Sequence, residues 1–228
     1  MESRDLPKPP EQFLPHLEVL AVAFSLREER LRVLLCSAPG VEAFALPGSG
    51  VHPGKALEEA ASHSIYHLTG LRETYLEQLY TYGDTGRSTA GALISVVYFA
   101  LLPAQSPTPP SHTDAVQAKW FPVDDLPEFS GDHAEILAYA LRRLRYKLEY
   151  SAVGFQLLPE AFSLTELQQT YEIILGETLD KRNFRRRILE AGIIEPTPTL
   201  RGGGGRPARL YRYRPDAVAE VKTRRLFP

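Results

Sequence analysis

The chain has 228 residues, of which 43% are hydrophobic and 24% are charged, and its formal net charge at pH 7 is −2. No run of about 18 apolar residues occurs, which argues against a membrane span, and the N-terminus lacks the apolar core of a signal peptide. We therefore expect a cytoplasmic protein with no membrane partner. The single cysteine, Cys36, excludes an internal disulfide framework and most cysteine-rich zinc sites.

The first 150 residues alternate between strand-like and helix-like patterns. Two apolar runs, LEVLAVAFSL and RLRVLLCS, flank the charged turn REE and predict a β-hairpin. A helical pattern covers residues 55–69 and ends at Gly70. Further strands are predicted in TYLEQLYTYGD, GALISVVYFALL and AKWFPV, and an amphipathic helix in DHAEILAYALRRLRYKLEY. This mixture indicates an α+β domain, with the almost wholly apolar GALISVVYFALL as a central strand of its sheet.

From Gly154 onward the pattern changes to short helices followed by a ribbon. Ser163 and Glu166 have the spacing of a capping box, which predicts the start of a helix. A second helix is predicted between Asp180, an N-cap residue, and Gly192, a helix stop. Two strands joined by the tip RGGGGRPA would then form a wing. The segment therefore predicts a winged helix-turn-helix.

Charge divides the chain at the same place. Residues 151–228 contain 13 Lys and Arg against 9 Asp and Glu, a net charge of +4, which leaves −6 for the preceding part of the chain. We therefore expect two domains, residues 1–152 and residues 153–228, of which the second binds a polyanion.

The second helix of the basic domain combines a broad cationic face with an apolar side formed by Phe184, Ile188 and Leu189. Arg and Asn suit bidentate contacts to bases in the major groove, and arginines around a glycine-rich tip suit phosphate or minor-groove contacts. The predicted DNA-binding residues are Lys181, Arg182, Asn183, Arg185 and Arg186 on the helix, and Arg201, Arg206 and Arg209 on the wing. A merely solvated basic face is the alternative, but solubility requires neither the tight turn nor the wing.

The stretch LPGSGVHPGKALEEAASHSIYHLTGL resembles a Nudix box that has lost its charged core. The pattern is G-x5-E-x7-R-E-U-x-E-E-x-G-U, in which U is apolar, and its last Gly falls on Gly70. Its glutamates fall on Lys55, Ser64, His67 and Leu68. In Nudix hydrolases, glutamates at i, i+3 and i+4 hold the divalent metals that activate water. Because these replacements cannot do so, we predict no catalytic residue, no metal and no cofactor.

A Nudix-like domain followed by a winged helix resembles the Nudix-related transcriptional regulators. The segments LDKRNFRRRILEAGII and GRPARLYRYRP carry the most specific similarity. The resemblance implies a Nudix-type α/β/α sandwich with a mixed sheet, followed by a winged helix-turn-helix domain. It also implies a homodimeric repressor that binds palindromic double-stranded operator DNA and senses a small-molecule effector, such as ADP-ribose, an NAD-related metabolite or a sugar.

Residues around the degenerate box are the candidates for effector contacts. The predicted effector-binding residues are His52, His63, Tyr66, His67, Arg87 and His133. Asp132, beside His133, suits either a helix cap or an effector contact. Two other hypotheses stay open: an active Nudix hydrolase with a DNA-binding appendage, and a metal site formed by His63 and His67 at i, i+4, with His52.

Overall fold

The computed structural model of the protein describes residues 15–83, 87, 92–104, 116–203 and 205–214, apart from the side chains of residues 150, 203, 205 and 206. The first sheet contains β1 (His16–Arg27), β2 (Arg30–Ser37), β3 (Gly48–Gly50), β4 (Tyr75–Tyr82), β5 (Leu93–Leu102) and β6 (Gln117–Pro122). Its order is β4-β5-β1-β2-β6, with β3 paired to β1. The sheet is mixed, because β5 runs parallel to β1 and antiparallel to β4. The predicted interior position of β5 is confirmed.

The hairpin between β1 and β2 turns through two glutamates. Glu28 and Glu29 have φ values of 51° and 56°. Two consecutive residues with positive φ give a turn whose twist matches that of the flanking strands. Non-glycine residues adopt this region infrequently, and here Arg32 on β2 forms an ion pair with Glu28. The predicted hairpin is therefore confirmed, with the charged REE segment at its turn.

Helices cover both faces of the first sheet. They are α1 (Leu57–Thr69) and α2 (His133–Tyr150). Alternate residues of a strand point to opposite faces, so Val22 and Phe24 of β1 enter the main core with Ile136 of α2. Ala21 of β1 packs on the other side with Ile65 of α1. The arrangement is a three-layer sandwich of the predicted α+β class.

Helix α1 begins and ends where local hydrogen bonds require. Its predicted start at Lys55 is two residues early, because the Lys55 N–H bonds to the His52 carbonyl in the preceding turn, at 3.2 Å. Its predicted end is confirmed. Gly70 adopts φ 74° and its N–H bonds to the Tyr66 carbonyl at 2.7 Å, which closes the helix with a left-handed cap.

A 3-10 helix, Ala152–Leu157, leads from α2 directly into the second domain. That domain contains β7 (Phe162–Ser163), α3 (Leu164–Leu175), α4 (Lys181–Glu190), β8 (Ile194–Gly203) and β9 (Gly205–Tyr213). Its three strands form a separate sheet in the order β7-β9-β8. Sequence patterns indicated α3, α4 and both strands of the wing. They did not indicate β3, β7 or the 3-10 helix, which are too short to show a period.

One hydrophobic core continues from the first domain into the second. It includes Phe24 of β1, Leu148 of α2 and Tyr171 of α3. Gly154 lies against α2 and α3, since a Cβ atom there would lie 2.8 Å from Leu148 Cδ2 and 3.0 Å from Tyr171 Cε2. The predicted domain boundary, between residues 152 and 153, falls inside the 3-10 helix and remains a prediction. No helix in the described part of the chain is long and apolar enough to cross a bilayer.

Candidate nucleic-acid interface and effector site

The helix-turn-helix is held by reciprocal caps and a clamped turn. The Ser163 Oγ accepts from the Glu166 N–H at 3.1 Å, while the Glu166 carboxylate accepts from the Ser163 N–H at 2.7 Å. The turn is closed by Glu172 Oε1, which accepts from the Leu179 N–H at 2.9 Å. Asp180 then caps α4 by accepting from the Asn183 N–H at 2.7 Å. These bonds fix the direction in which α4 leaves α3.

Helix α4 is attached to the core by two of its three predicted apolar residues, because Leu189 is 49% exposed. Phe184 and Ile188 are buried, and the Phe184 ring lies edge-on to Tyr171 of α3, with a centroid separation of 5.6 Å. Lys181 and Arg182 are exposed at the start of the helix, and their side chains make no hydrogen bond or ion pair with the rest of the described chain. Two cations at the first turn of a helix are available to a polyanion at little desolvation cost.

The remaining polar residues of α4 already have partners. Arg185 is half-buried, and its Nη2 donates to Thr165 Oγ1 on α3 at 3.0 Å. Arg186 Nη2 donates to Asn183 Oδ1 at 2.9 Å and Nη1 lies 3.9 Å from the Glu190 carboxylate. A DNA contact by Arg185 would therefore compete with an existing bond. Arg186 and Asn183 are hydrogen-bonded to each other and form a linked pair on the helix.

The wing is tied to the start of α3. Arg201 on β8 forms an ion pair with Glu166 and donates to the Ala161 carbonyl at 3.1 Å. Arg209 on β9 is exposed and lies opposite Leu200 in the register of the ribbon. The predicted contact Arg206 has its side chain outside the described residues. Of the three wing arginines, Arg201 thus positions the wing within the protein, and Arg209 faces solvent.

At the positions where the Nudix pattern has its metal-binding glutamates, the helix of the degenerate box carries no cluster of carboxylates. Ser64 is buried and its Oγ donates to the Ala60 carbonyl at 3.0 Å. Leu68 packs against the apolar cluster beneath α1. Glu58 and Glu59 occupy the exposed first turn. The described residues contain no group of three or more His, Cys, Asp or Glu side chains that could hold a metal ion.

The outer face of α1 carries an aromatic cluster instead. The rings of His63 and His67 meet edge-on with centroids 4.4 Å apart. The Arg72 guanidinium lies 5.1 Å from the centroid of the Tyr66 ring, and its Nη2 lies 3.4 Å from the Tyr66 hydroxyl. His52, in the loop before the helix, is also exposed. This face offers planar rings and a cation to a ligand, without a strong metal chelate.

Arg87 lies in a buried polar cluster at the start of α2. Its side chain is 7% exposed, and it donates to both carboxylate oxygens of Asp132, at 2.6 and 3.1 Å. It also donates to the Tyr82 carbonyl at 3.1 Å and to Ser95 Oγ at 3.0 Å, and Ser95 in turn donates to Glu18 at 2.5 Å. The guanidinium is therefore satisfied by bonds to two neighbouring strands and to the beginning of α2.

Arg87 also determines what Asp132 does. Asp132 occupies the N-cap position of α2, yet its side chain makes no capping hydrogen bond. Its carboxylate bonds to Arg87 instead, and this hydrogen bond lowers the pKa of Asp132 below its usual value. Of the two roles predicted for Asp132, helix capping by its side chain is wrong, because the ion pair uses the carboxylate.

His133 has one fixed ring nitrogen. Its Nδ1 accepts from the Leu46 N–H at 2.9 Å, so the proton of the neutral ring lies on Nε2. Burial lowers the pKa of His133, and the neighbouring Arg87 acts in the same direction, against the opposing charges of Glu18 and Asp132. His133 is therefore neutral near pH 7.

The contacts divide the predicted effector residues into two groups. His63, Tyr66 and His67 lie on α1, which covers one face of the first sheet, and His52 precedes that helix. Arg87 and His133 lie at the start of α2, which covers the opposite face. The sequence pattern alone did not identify Ser95, which accepts from Arg87, or Glu18, which accepts from Ser95. The sequence does show a polar residue in each of two otherwise apolar strands. Such a residue alone does not reveal which side chain it bonds to.

Comparisons with known proteins agree with this architecture. Residues 15–143 match the model of the NUDIX domain, and residues 154–213 match that of the NrtR DNA-binding winged helix domain. The ADPR responsive transcriptional repressor NtrR of Acinetobacter baylyi is 34% identical over 210 residues, which are 87% of this chain and 82% of that protein.

Two solved structures of Shewanella oneidensis NrtR are similar as well. NrtR complexed with a 27mer DNA has a TM-score of 0.80 at 32% identity, and the match covers 92% of this chain and 98% of that one. The NUDIX domain of NrtR complexed with ADP ribose has a TM-score of 0.52 at 27% identity, and the match covers 60% of this chain and 94% of that one. The predicted Nudix-type fold and winged helix are thus confirmed, and the chain belongs to the NrtR family of Nudix-related transcriptional regulators.

Proposed function

We propose that the protein is a repressor that binds palindromic operator DNA as a homodimer and responds to ADP-ribose held by its Nudix domain. The observation that supports this most directly is the cationic start of α4, fixed in direction by the clamped turn and followed by a wing. The same architecture extends along the full length of an NrtR that was solved with DNA. The family relationship establishes a regulator; the effector, the operator symmetry and the residues are our proposal.

DNA recognition divides between α4 and the wing. Lys181 and Arg182 enter the major groove first, because they are exposed and make no side-chain bond within the described chain. The linked pair of Asn183 and Arg186 follows, and Arg186 suits a bidentate contact to guanine. Arg209 contacts the phosphate backbone from the wing. A single winged helix contacts few bases, and a two-fold dimer doubles those contacts on two half-sites.

The effector proposal follows from the chemistry of ADP-ribose. Its diphosphate requires a cation, and its adenine requires a flat surface for stacking. Arg87 supplies the cation in the buried cluster, and Asp132 neutralises its charge in this structure. Tyr66 and Arg72 offer a stacking surface and a cation on α1, but on the opposite face of the sheet, so they form a separate candidate site and not part of the Arg87 cluster. The relative from Acinetobacter baylyi is described as ADPR responsive, and the NUDIX domain of NrtR was solved with ADP ribose, which favours this nucleotide over a sugar.

We also propose that the Nudix domain has no hydrolase activity. Hydrolysis of a diphosphate by this fold requires carboxylates that hold divalent metals on the helix of the box. Ser64 and Leu68 stand at two of those positions, one bonded to its own helix and the other packed in the core. Two exposed imidazoles, His63 and His67, replace neither the charge nor the oxygen ligands that Mg²⁺ prefers. A protein that binds operator DNA must share a compartment with that DNA, which suits the expected cytoplasmic location.

Selection from random DNA duplexes, followed by fluorescence anisotropy, tests the whole proposal. We expect enrichment of an inverted repeat whose half-sites are separated by whole helical turns, and a change of operator affinity when ADP-ribose is added. Enrichment of no sequence would contradict the regulator, whereas an operator whose affinity is insensitive to ADP-ribose would contradict only the effector. Release of AMP and ribose phosphate with Mg²⁺ or Mn²⁺ at ordinary enzyme rates would contradict the loss of catalysis.

A further inference from the structure

Helix α2 is held to the first sheet near both of its ends. At its start, Asp132 forms the ion pair with Arg87. In its last turn, Lys147 forms an ion pair with Glu77 of β4, and the Glu77 carboxylate also accepts from the Tyr75 hydroxyl. Because one rigid helix carries both ion pairs, α2 keeps its place on the sheet of the Nudix domain as long as they hold.

A third contact joins the same helix to the DNA-binding domain. Arg145 of α2 donates from Nε to the Ile174 carbonyl in the last turn of α3, at 2.8 Å. Its guanidinium lies beside the C-cap of that helix, since a Cβ atom on Gly176 would lie 3.9 Å from Arg145 Nη2. Carbonyls in a last helical turn lack partners within the helix, and the helix dipole favours a cation there. The last turn of α3 contains no basic residue of its own, so Arg145 supplies this cation from α2.

The end of α3 is also the place that sets the direction of α4. The turn between the two helices begins at Gly176, and it is closed by Glu172, whose carboxylate accepts from the Leu179 N–H at 2.9 Å. Gln168 donates to the Leu179 carbonyl at 3.0 Å. A displacement of α2 on the first sheet therefore reaches this turn through the bond that Arg145 makes.

We propose that Arg145 is a positioning residue, which sets the direction of α4 according to the position of α2 and so carries the response of operator binding to the effector. This inference rests on the proposed function, because it requires an effector that acts on the ion pair of Arg87 and Asp132 at the other end of α2. Apolar packing also joins α2 to α3, but it is non-directional, whereas a hydrogen bond fixes a distance and an angle.

Binding to the operator with and without saturating ADP-ribose tests this role, with the dissociation constants measured by fluorescence anisotropy. We expect the two constants to differ about fivefold or more in the original chain, and by less than about twofold in Arg145→Met. Arg145→Lys keeps a cationic donor and should recover most of the response. Arg143→Met is the matched control, because Arg143 is exposed on the same helix and its charge acts on Glu77 of β4. It should keep the full response.

Two further measurements separate this role from an effect on the effector site. The rise of the melting temperature with ADP-ribose should be the same in Arg145→Met as in the original chain, since the variant leaves the Arg87 cluster unchanged. Without effector, amide hydrogen exchange at Gly176 and Leu179 should be about threefold faster or more in Arg145→Met, because the end of α3 has lost a bond. Exchange at both amides should be unchanged in Arg143→Met.

Three outcomes would overturn the inference: a full response in Arg145→Met, unchanged hydrogen exchange at the turn in this variant, or loss of its melting-temperature rise with ADP-ribose. Failure of the proposed function looks different, because it concerns the original chain. If operator binding by the original chain does not respond to ADP-ribose, the effector proposal fails, and so does the part of the inference that concerns the response. Hydrogen exchange then decides whether Arg145 positions the turn.

Discussion

Two arginines of the same chemistry stand in opposite surroundings in this molecule. Arg87, in the Nudix domain, is buried and forms a bidentate ion pair with Asp132. Arg182, at the start of α4, is exposed and makes no side-chain bond within the described chain. The first guanidinium has already lost its water and exchanged it for fixed partners, whereas the second is still solvated.

Under the proposed function, the same type of side chain serves to sense the effector in one domain and to contact DNA in the other. An exposed arginine binds any phosphate backbone and responds strongly to salt. A buried arginine accepts an anion only where the anion replaces an existing partner, so its response is selective. If ADP-ribose binds Arg87, its diphosphate competes with Asp132, and the start of α2 loses its tie to the sheet. Because α2 shares a core with α3, that change has a path to the DNA-binding domain.

The largest expected effect comes from removing the buried cation. Arg87→Met leaves the Asp132 carboxylate without its ion-pair partner, and we expect a loss of about 3 kcal/mol in the free energy of unfolding, measured with urea. Arg30→Met is the matched control, because Arg30 pairs with Asp124 on the exposed surface and should cost less than about 1 kcal/mol. Equal losses in the two variants would remove the contrast between buried and exposed arginines.

Arg87→Lys tests sensing separately from folding. Lysine keeps the charge but cannot bond to both carboxylate oxygens of Asp132. A ligand that binds the folded state raises the melting temperature as its concentration increases, by mass action. We expect the variant to be folded but to show no such rise with ADP-ribose. An unchanged thermal shift in this variant would show that the diphosphate is held elsewhere, with the aromatic face of α1 as the remaining candidate.

Sequence patterns predicted most of this fold, because the strands and helices that carry it are long enough to show their period. The caps of α3 and α4 were predicted at Ser163 and Asp180, since capping depends on residues within one turn. The basic start of α4 was predicted for the same reason. Its exposure follows from Phe184 and Ile188, which must face the core on the opposite side of the helix.

The contacts of Arg87 could not be predicted in the same way. Asp132 is 45 residues away along the chain, and Glu18 and Ser95 are 77 residues apart. Such pairs depend on strand order and on which face each residue takes, which no local pattern determines. The different roles of the arginines on α4 could not be predicted for a similar reason. Arg185 and Arg186 are adjacent in sequence, but only Arg185 reaches Thr165 on α3.

Arg182, which we propose contacts bases, should affect the specificity of DNA binding more than the stability of the fold. Arg182→Ala should leave unfolding unchanged, because the side chain is exposed, and should weaken operator binding by about 1–3 kcal/mol per half-site. Anisotropy competition between operator and random DNA measures this, with Arg209→Ala as the comparison. We expect Arg209→Ala to weaken both DNAs alike and to reduce the salt dependence by roughly one unit per half-site. If Arg182→Ala also weakened both DNAs equally, α4 would contribute charge without reading sequence.

Gly154 packs against buried residues of the core that the two domains share, and a methyl group there should disturb this packing. In Gly154→Ala, the new Cβ would lie 2.8 Å from Leu148 and 3.0 Å from Tyr171, both buried. We expect a loss of about 1.5 kcal/mol in the free energy of unfolding from overpacking. Gly202→Ala, in the wing, meets no atom within 4 Å and serves as the control. A Gly154→Ala protein of unchanged stability would mean that the shared core between the domains is looser than its packing indicates.

The smallest expected effect concerns the proton of His133, which lies beside the buried arginine. Because burial lowers the pKa of His133 in the folded protein, the unfolded chain binds the proton more readily, near the ordinary value of about 6.5. Between the two pKa values, stability therefore rises with pH, by at most about 1.4 kcal/mol per unit and by less where solvent reaches the ring. His133→Asn keeps an acceptor for the Leu46 N–H but does not titrate. Urea unfolding from pH 5 to 7.5 should show a shallower rise in this variant than in the original chain. Parallel curves for the two proteins would mean that His133 ionises in the fold as freely as in water, and that the cluster around Arg87 is open to solvent.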